Sequence, residues 1–269
     1  MRHGFHRNIT IALLLSILCL SACTSDPYDV NETMATTTPA SESQNHSLPE
    51  PESSPLNTQS NNQDQNAEGL HYGVVTFTSY WGPTYANDTE WLTLDEENDR
   101  ILILAKDIIE LRPYNNENGD VTWADSDVRQ WLNDVFFYGL PASLQQAVIT
   151  TKVSTDPSEY GASGGEDTTD KVFLLSSEEA DKYLNATSRL AGLDVPDSAI
   201  QAADSASGTG LNIKDVVAEH GGWPWWLRSP GAGQDDAAFV NYFGAVDTFG
   251  RAVDGWDDYG IRPALWLST

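Results

Sequence analysis

The alternation of apolar and polar positions divides the chain before any single residue is considered. Ile9 to Leu20 is an apolar run broken only by Thr10, Ser16 and Cys19, whereas Thr24 to Glu68 has no periodicity. A regular pattern begins near Gly69. His71 to Ser79 alternates around Val75 and Phe77, as a half-buried strand does. Glu90 to Leu94 and Arg100 to Ala105 read as two further strands around an acidic turn, Asp95 to Asp99. After Trp123 the period changes. Val128, Trp131, Leu132, Val135 and Phe136 recur at helical spacing and predict one apolar helix face, capped by Ser126 or Asp125. Gly139 ends that helix, and Pro141 opens a shorter one carrying Leu144 and Val148. Lys171 to Leu175 reads as a buried strand. It runs into Ser176 and Glu179, which have capping-box spacing ahead of Ala180, Tyr183 and Leu184. Residues 186–212 are polar and rich in Ala, Ser and Gly, and predict an irregular excursion. From Trp223 onward come short strands, glycines and aromatics, closing on Ile261 to Leu267. The pattern as a whole predicts a single α+β domain over 69–269, with helices in the first half and a short-stranded, β-rich C-terminal part. About 200 residues suffice for one core, expected to hold Trp91, Trp131, Phe173, Leu227 and Leu265.

The apolar run near the start is too short to cross a bilayer core of ~30 Å, which takes about 20 residues. Preceded by Arg2 and Arg7, it fits the h-region of a secretory signal. Leu20-Ser21-Ala22-Cys23 follows at once and resembles the lipobox of bacterial lipoproteins. That resemblance implies that residues 1–22 are a signal peptide and that the Cys23 thiol carries diacylglycerol. The mature chain is then held at the cell membrane by lipid, its domain facing outside the cytoplasm. Residues 23–68 read as a lipidated, disordered tether, with eight acids and no Lys or Arg beyond Cys23. As a flexible coil the tether spans roughly 35–40 Å.

Composition removes several chemistries. With Cys19 in the signal and Cys23 acylated, the domain has no cysteine, which excludes disulfides, thiolate metal sites and cysteine nucleophiles there. Only His71 and His220 lie past the tether, too few for a zinc site built on several His and Cys ligands. The formal net charge is −26, and removing Arg2 and Arg7 with the signal makes it −26 − 2 = −28. Such a surface repels nucleic acid and anionic lipid and favours cationic partners or divalent cations.

Five segments then carry a resemblance. Glu90-Trp91-Leu92-Thr93-Leu94 before Ile101-Leu102-Ile103-Leu104 is similar to the opening strands of a bacterial domain family of unknown function. The run from Thr122 to Asn133 resembles that family's T-W-x-x-S-x-x-R-x-W-L-N segment, and Thr168 to Ser176 its T-T-D-K-V-F-L-L-S. Trp225 to Gly231 (W-W-L-R-S-P-G) and Gly260 to Leu267 (G-I-R-P-A-L-W-L) resemble its closing pair. A second resemblance concerns fold. The tryptophan strand, the glycine- and aromatic-rich stretch and the terminal G-x-R strand are similar to C-type-lectin-like domains. These include the formylglycine-generating enzymes and the variable proteins of diversity-generating retroelements. The chemistry of the former does not carry over, because the domain lacks the cysteines it needs. The variable proteins bind ligands with the segment before the last strand.

That segment is the candidate recognition face here: Asn241, Tyr242, Phe243, Asp247, Phe249, Arg251, Trp256 and Tyr259 mix rings with polar groups between glycines. Asp254, Asp257 and Asp258 offer carboxylates of the kind calcium takes, without EF-hand spacing; no other cofactor is expected. Trp223, Trp225 and Trp226 suggest a sugar platform, but adjacent strand residues face opposite ways, so at least one of Trp225 and Trp226 belongs to the core. Arg129, Arg228 and Arg262 lie in apolar segments and require pairing, with Asp125, Asp127 or Asp170 as expected partners. No P-loop or dinucleotide fingerprint occurs. Gly161 to Gly165 spells G-x-S-x-G, but in a polar stretch and not between a strand and a helix. These features predict a cell-surface lipoprotein presenting a non-catalytic module for a glycan, cell-wall or protein ligand. An envelope hydrolase using paired carboxylates and a purely structural envelope lipoprotein stay open as alternatives.

Overall fold

The computed structural model describes residues 69–207, 210, 212–255 and 259–269, all within the unit Asn62–Thr269. Cys23, Trp256, Asp257 and Asp258 lie outside the described residues. The chain enters through β1 (Leu70–His71), β2 (Val75–Thr78) and β3 (Thr84–Asn87), and β2 and β3 pair as a separate hairpin. The alternation of β2 buries Val75 and Phe77 and leaves Thr76 and Thr78 outside. Next, β4 (Glu90–Glu97) and β5 (Arg100–Ala105) form a hairpin, followed by β6 (Glu110–Leu111). The acidic turn is shorter than expected, because β4 runs on through Glu97 and the chain reverses at Asn98, with φ 43°.

The predicted helix starts where the sequence places it. Ser126 caps α1 (Asp127–Trp131), its Oγ accepting from the Arg129 N–H. The face does not hold its period, however. A π turn, Leu132–Phe136, separates α1 from α2 (Phe137–Gly139). The wider turn rotates the residues after it about the helix axis, so Phe136 and Phe137 are buried and Val135, expected inside, is exposed. After Pro141 come α3 (Ala142–Ala147), β7 (Val148–Ile149), β8 (Thr151–Val153) and β9 (Thr168–Asp170). Residues 172–175 are buried but form only a bridge, Phe173 to Ala264, rather than a full strand.

The excursion expected to be irregular is helical instead. The stretch after Ser176 contains α4 (Ser177–Tyr183), α5 (Ala186–Arg189), α6 (Asp197–Ser207) and α7 (Ile213–His220). The Ser176–Glu179 capping box is present, and Asn185 with Ser188 makes a second one ahead of α5. In α6 the residues facing inward are Ala199, Ile200 and Ala203, too small a stripe to stand out by hydropathy. Helices thus occupy 123–147 and 177–220 rather than the first half alone.

The last strands are β10 (Trp225–Pro230), β11 (Asp236–Val240), β12 (Val246–Ala252), β13 (Gly260–Ile261) and β14 (Ala264–Ser268). One five-stranded antiparallel sheet has the order β1-β4-β5-β14-β7, so the first and last strands share it. The other runs β12-β11-β10-β13-β6, antiparallel except where β10 and β13 lie parallel. The two sheets and the helices bury one hydrophobic cluster in a mixed α+β domain. Trp91, Trp131, Phe173, Leu227 and Leu265 all lie in it. Trp223, Trp225 and Trp226 are buried too, which removes them as a surface platform. Among the described residues no helix is long and apolar enough to cross a membrane.

Candidate functional site

The segment expected to recognise a ligand is divided by its own backbone. Asn241 is consumed by the β11–β12 turn, its Oδ1 accepting from the Phe243 and Ala245 N–H groups. Gly244 completes that turn at φ +75°, and a Cβ there would collide with the Ala186 carbonyl oxygen. Asp247 is consumed similarly, accepting from the Phe249 and Gly250 N–H groups at an irregularity in β12. Tyr259 is buried against Trp226 and Phe239 and belongs to the core. Asp254 accepts from the Asn118 amide, and Arg251 stands exposed on β12 opposite Ala237. Among the described residues no three His, Cys, Asp or Glu side chains are grouped to hold a metal ion. The exposed rings form two separate pairs. Tyr242 and Phe243 stack on each other and on His220 at the end of α7. Phe249 meets Tyr160 edge to face, 5.6 Å between centroids.

The arginines are held, though not by the expected carboxylates in every case. Arg129 meets the buried Asp170 at 2.8 Å, and the other oxygen of Asp170 accepts from the Trp123 indole and the Thr168 hydroxyl. Asn133 ties this knot to the next segment, accepting from the Lys171 and Val172 N–H groups. Arg228 pairs with Glu179, and its guanidinium also donates to the Ser154 and Leu174 carbonyls. Glu179 thus caps α4 and neutralises Arg228 at once. Arg262 has no carboxylate partner within ion-pair distance among the described residues. It lies over the Trp225 ring, donates to the Ala105 carbonyl, and burial lowers its pKa to about 10.

A cleft of about 240 Å³ opens beside the Phe249–Tyr160 pair. Asp156, Glu159 and Glu178 contribute carboxylates, and Ser177, Ser229 and Thr248 contribute hydroxyls. Four segments assemble it: the loop after β8, the start of α4, and the strands β10 and β12. Thr248 donates to Glu159 at 2.9 Å, and the next residue on each segment is one of the stacked rings. Each ring thus follows a lining residue in the chain, and neither ring itself lines the cleft. Phe249 is 64% exposed and Tyr160 50%, while Ser177 and Ser229 are buried. Ser229 Oγ accepts from the Ser177 N–H, but the buried Ser177 Oγ has no hydrogen-bond partner. None of the three carboxylates has an ion-pair partner among the described residues. The cleft can accept hydrogen bonds and positive charge, and the exposed rings offer an apolar surface.

A family model described as a domain of unknown function (DUF6273) matches residues 98–269. The chain belongs to that family. No curated protein and no solved structure matches the chain. The DUF6273 segment starts at the β4–β5 turn, so β1, β2, β3 and β4 all precede it. Every residue that lines the cleft lies inside it, as do Tyr160 and Phe249.

Two other clefts are less suited to a ligand. One, within the DUF6273 segment, is lined by Arg129, Asn133 and Asp170, whose polar atoms are largely spent on the knot described above. The other, smaller at about 150 Å³, gathers His71, Asp88, Asp107 and Asp194. There burial raises the Asp194 pKa, and Tyr85 and Asn87 donate to its carboxylate. At the cleft beside Phe249, only Phe249 itself stands out in the sequence. Ser177 and Glu178 are legible as a helix start, and Asp156 and Glu159 as a polar loop, but nothing local joins them to Thr248.

Proposed function

We propose that this chain is a cell-surface lipoprotein, anchored through Cys23, whose DUF6273 domain is a non-catalytic module that binds a glycan of the cell envelope. The observation that carries the reading is the exposed Phe249–Tyr160 pair, next in the chain to the Thr248–Glu159 hydrogen bond of a cleft lined by hydroxyls and by carboxylates without ion-pair partners. Exposed rings add nothing to a core, whereas a sugar presents an apolar face to stack on them and hydroxyls to donate into the cleft. A C-type-lectin-like arrangement belongs to the same reading. Its support is the tryptophan strand β10, the hairpin β11–β12 and the closing strands after Gly260.

Capture of purified cell-wall polymer by the full chain tests it. The Phe249→Ala, Tyr160→Ala double variant should lose capture while its unfolding midpoint stays near that of the parent, since truncating exposed side chains changes stability by about 0.5 kcal/mol or less. Undiminished capture by the double variant refutes the siting. Cleavage of the polymer, abolished by Glu178→Gln or Glu159→Gln, would replace the module with a hydrolase.

A further inference from the structure

We infer that the turn between β2 and β3 is a pH-responsive latch: it lies closed over Glu110 while that carboxyl holds its proton, and opens more often once the proton is lost. The turn, residues 79–83, is tied to β6 at Glu110. Ser79 Oγ donates to Glu110 Oε1 at 3.1 Å, the Tyr80 N–H donates to Oε2 at 3.3 Å, and the Trp81 N–H donates back to Ser79 Oγ. A hydroxyl both donates and accepts. A protonated Glu110 can therefore donate to Ser79 Oγ, and the tie survives neutralisation.

Ionisation is what the closed form opposes. Glu110 is fully buried and has no cation at ion-pair distance among the described residues. Arg112, on the same strand, lies over the Tyr80 and Trp131 rings instead. On α1, Asp127 accepts from the Asn116 N–H and acts on Arg112. Helix α6 packs on β6, but its Asp197 pairs with Lys214 and its Asp204 accepts from the Ile213 N–H. On β13 the residue opposite Glu110 is Ile261. Burial accordingly raises the Glu110 pKa from 4.5 to about 7 while the turn is closed. Lifting the turn hydrates the carboxyl and restores the lower value, so opening becomes easier as pH rises from 4.5 to about 7 and levels off above. Two more groups favour opening. Arg112 Nε and Trp81 Nε1 are buried without a hydrogen-bond partner, both side chains lie against the Tyr80 ring, and both donors gain water when the turn lifts. A Cβ at Gly82 would meet nothing within 4 Å, so that side of the turn is loosely packed. The closed form stays the major one; pH sets how often it opens.

Amide hydrogen exchange of the full chain at pH 4.5 and pH 8, corrected for the intrinsic rate and repeated in dilute urea, tests the latch. The Tyr80, Trp81 and Gly82 amides should exchange faster than those of β5 and independently of urea, as a local opening does. Their protection should fall about a hundredfold between the two pH values in the parent and stay level in Glu110→Gln. Turn amides that exchange only at the rate of β5 overturn the latch, because the turn then opens only with the whole domain. An equal fall in Glu110→Gln assigns the response to another group and overturns it too. Should that variant not fold, the parent decides alone, since protection at the turn that ignores pH overturns the inference.

Discussion

Raising the pH from 4.5 to 8 should weaken the fold through a single buried carboxyl, Glu110. This residue lies on β6 and is 1% exposed. Burial pushes its pKa from 4.5 up to about 7, against the pull of Arg112 and of hydrogen bonds from Ser79, Tyr80 and Leu111. Burial prevails for a geometric reason. The Arg112 guanidinium stacks over the Trp131 and Tyr80 rings, 4.7 and 5.5 Å from their centroids, rather than closing an ion pair with Glu110. A folded-state pKa above the unfolded one means that the native state holds the proton more tightly. The associated stability is full below about pH 4.5 and is lost as pH rises to about 7. At about 1.36 kcal/mol per pH unit the loss comes to roughly 3 kcal/mol. Urea unfolding followed by tryptophan fluorescence at pH 4.5 and pH 8 measures it, with Glu110→Gln as the reference that cannot titrate. The parent should lose roughly 3 kcal/mol more than Glu110→Gln across that interval. Parallel stability curves for the two proteins would refute the assignment. Asp194, whose pKa burial also raises, titrates in both proteins and cancels in the comparison.

Three further outcomes are expected on the same physical grounds. Cys23→Ala should release the protein from the membrane fraction with the domain still folded, as read by fractionation and circular dichroism. Asp170→Asn should cost about 3 kcal/mol in urea unfolding, because it strips a buried charge from Arg129 and an acceptor from Trp123 and Thr168. Gly139→Ala should destabilise by about 2 kcal/mol although alanine favours helices. Its Cβ would collide with the Thr76 carbonyl oxygen, where β2 packs on the helix, and a thermal melt reads the loss.

Features set by neighbours a few residues apart were legible in the sequence. The Ser126 cap, the Ser176–Glu179 capping box and the alternation of β2 appear where the pattern puts them, and the β4–β5 hairpin does so with a shorter turn. Each depends on residues close together in the chain, so the side chains involved can be read side by side. Helix α6 was missed because its inward residues, Ala199, Ile200 and Ala203, are mostly small and the stretch as a whole has low hydropathy, although its apolar positions keep a helical period. Val135 was misplaced because a π turn changes the period without a local marker. The same limit governs the site. Tyr259 and Phe249 are both aromatic in one polar, glycine-spaced segment, yet one is core and the other exposed. Which is which depends on the strand each joins or adjoins and the face it presents. Glu159 reaches Thr248 across 89 residues, and Glu179 reaches Arg228 across 49. The sequence by itself determined most of the elements and their caps, and its likeness to a domain family of unknown function agrees with the family match over residues 98–269. Only the tertiary structure decided which carboxylates are spent on arginines and which line the cleft, because pairing across such separations is set by how the sheets and helices pack.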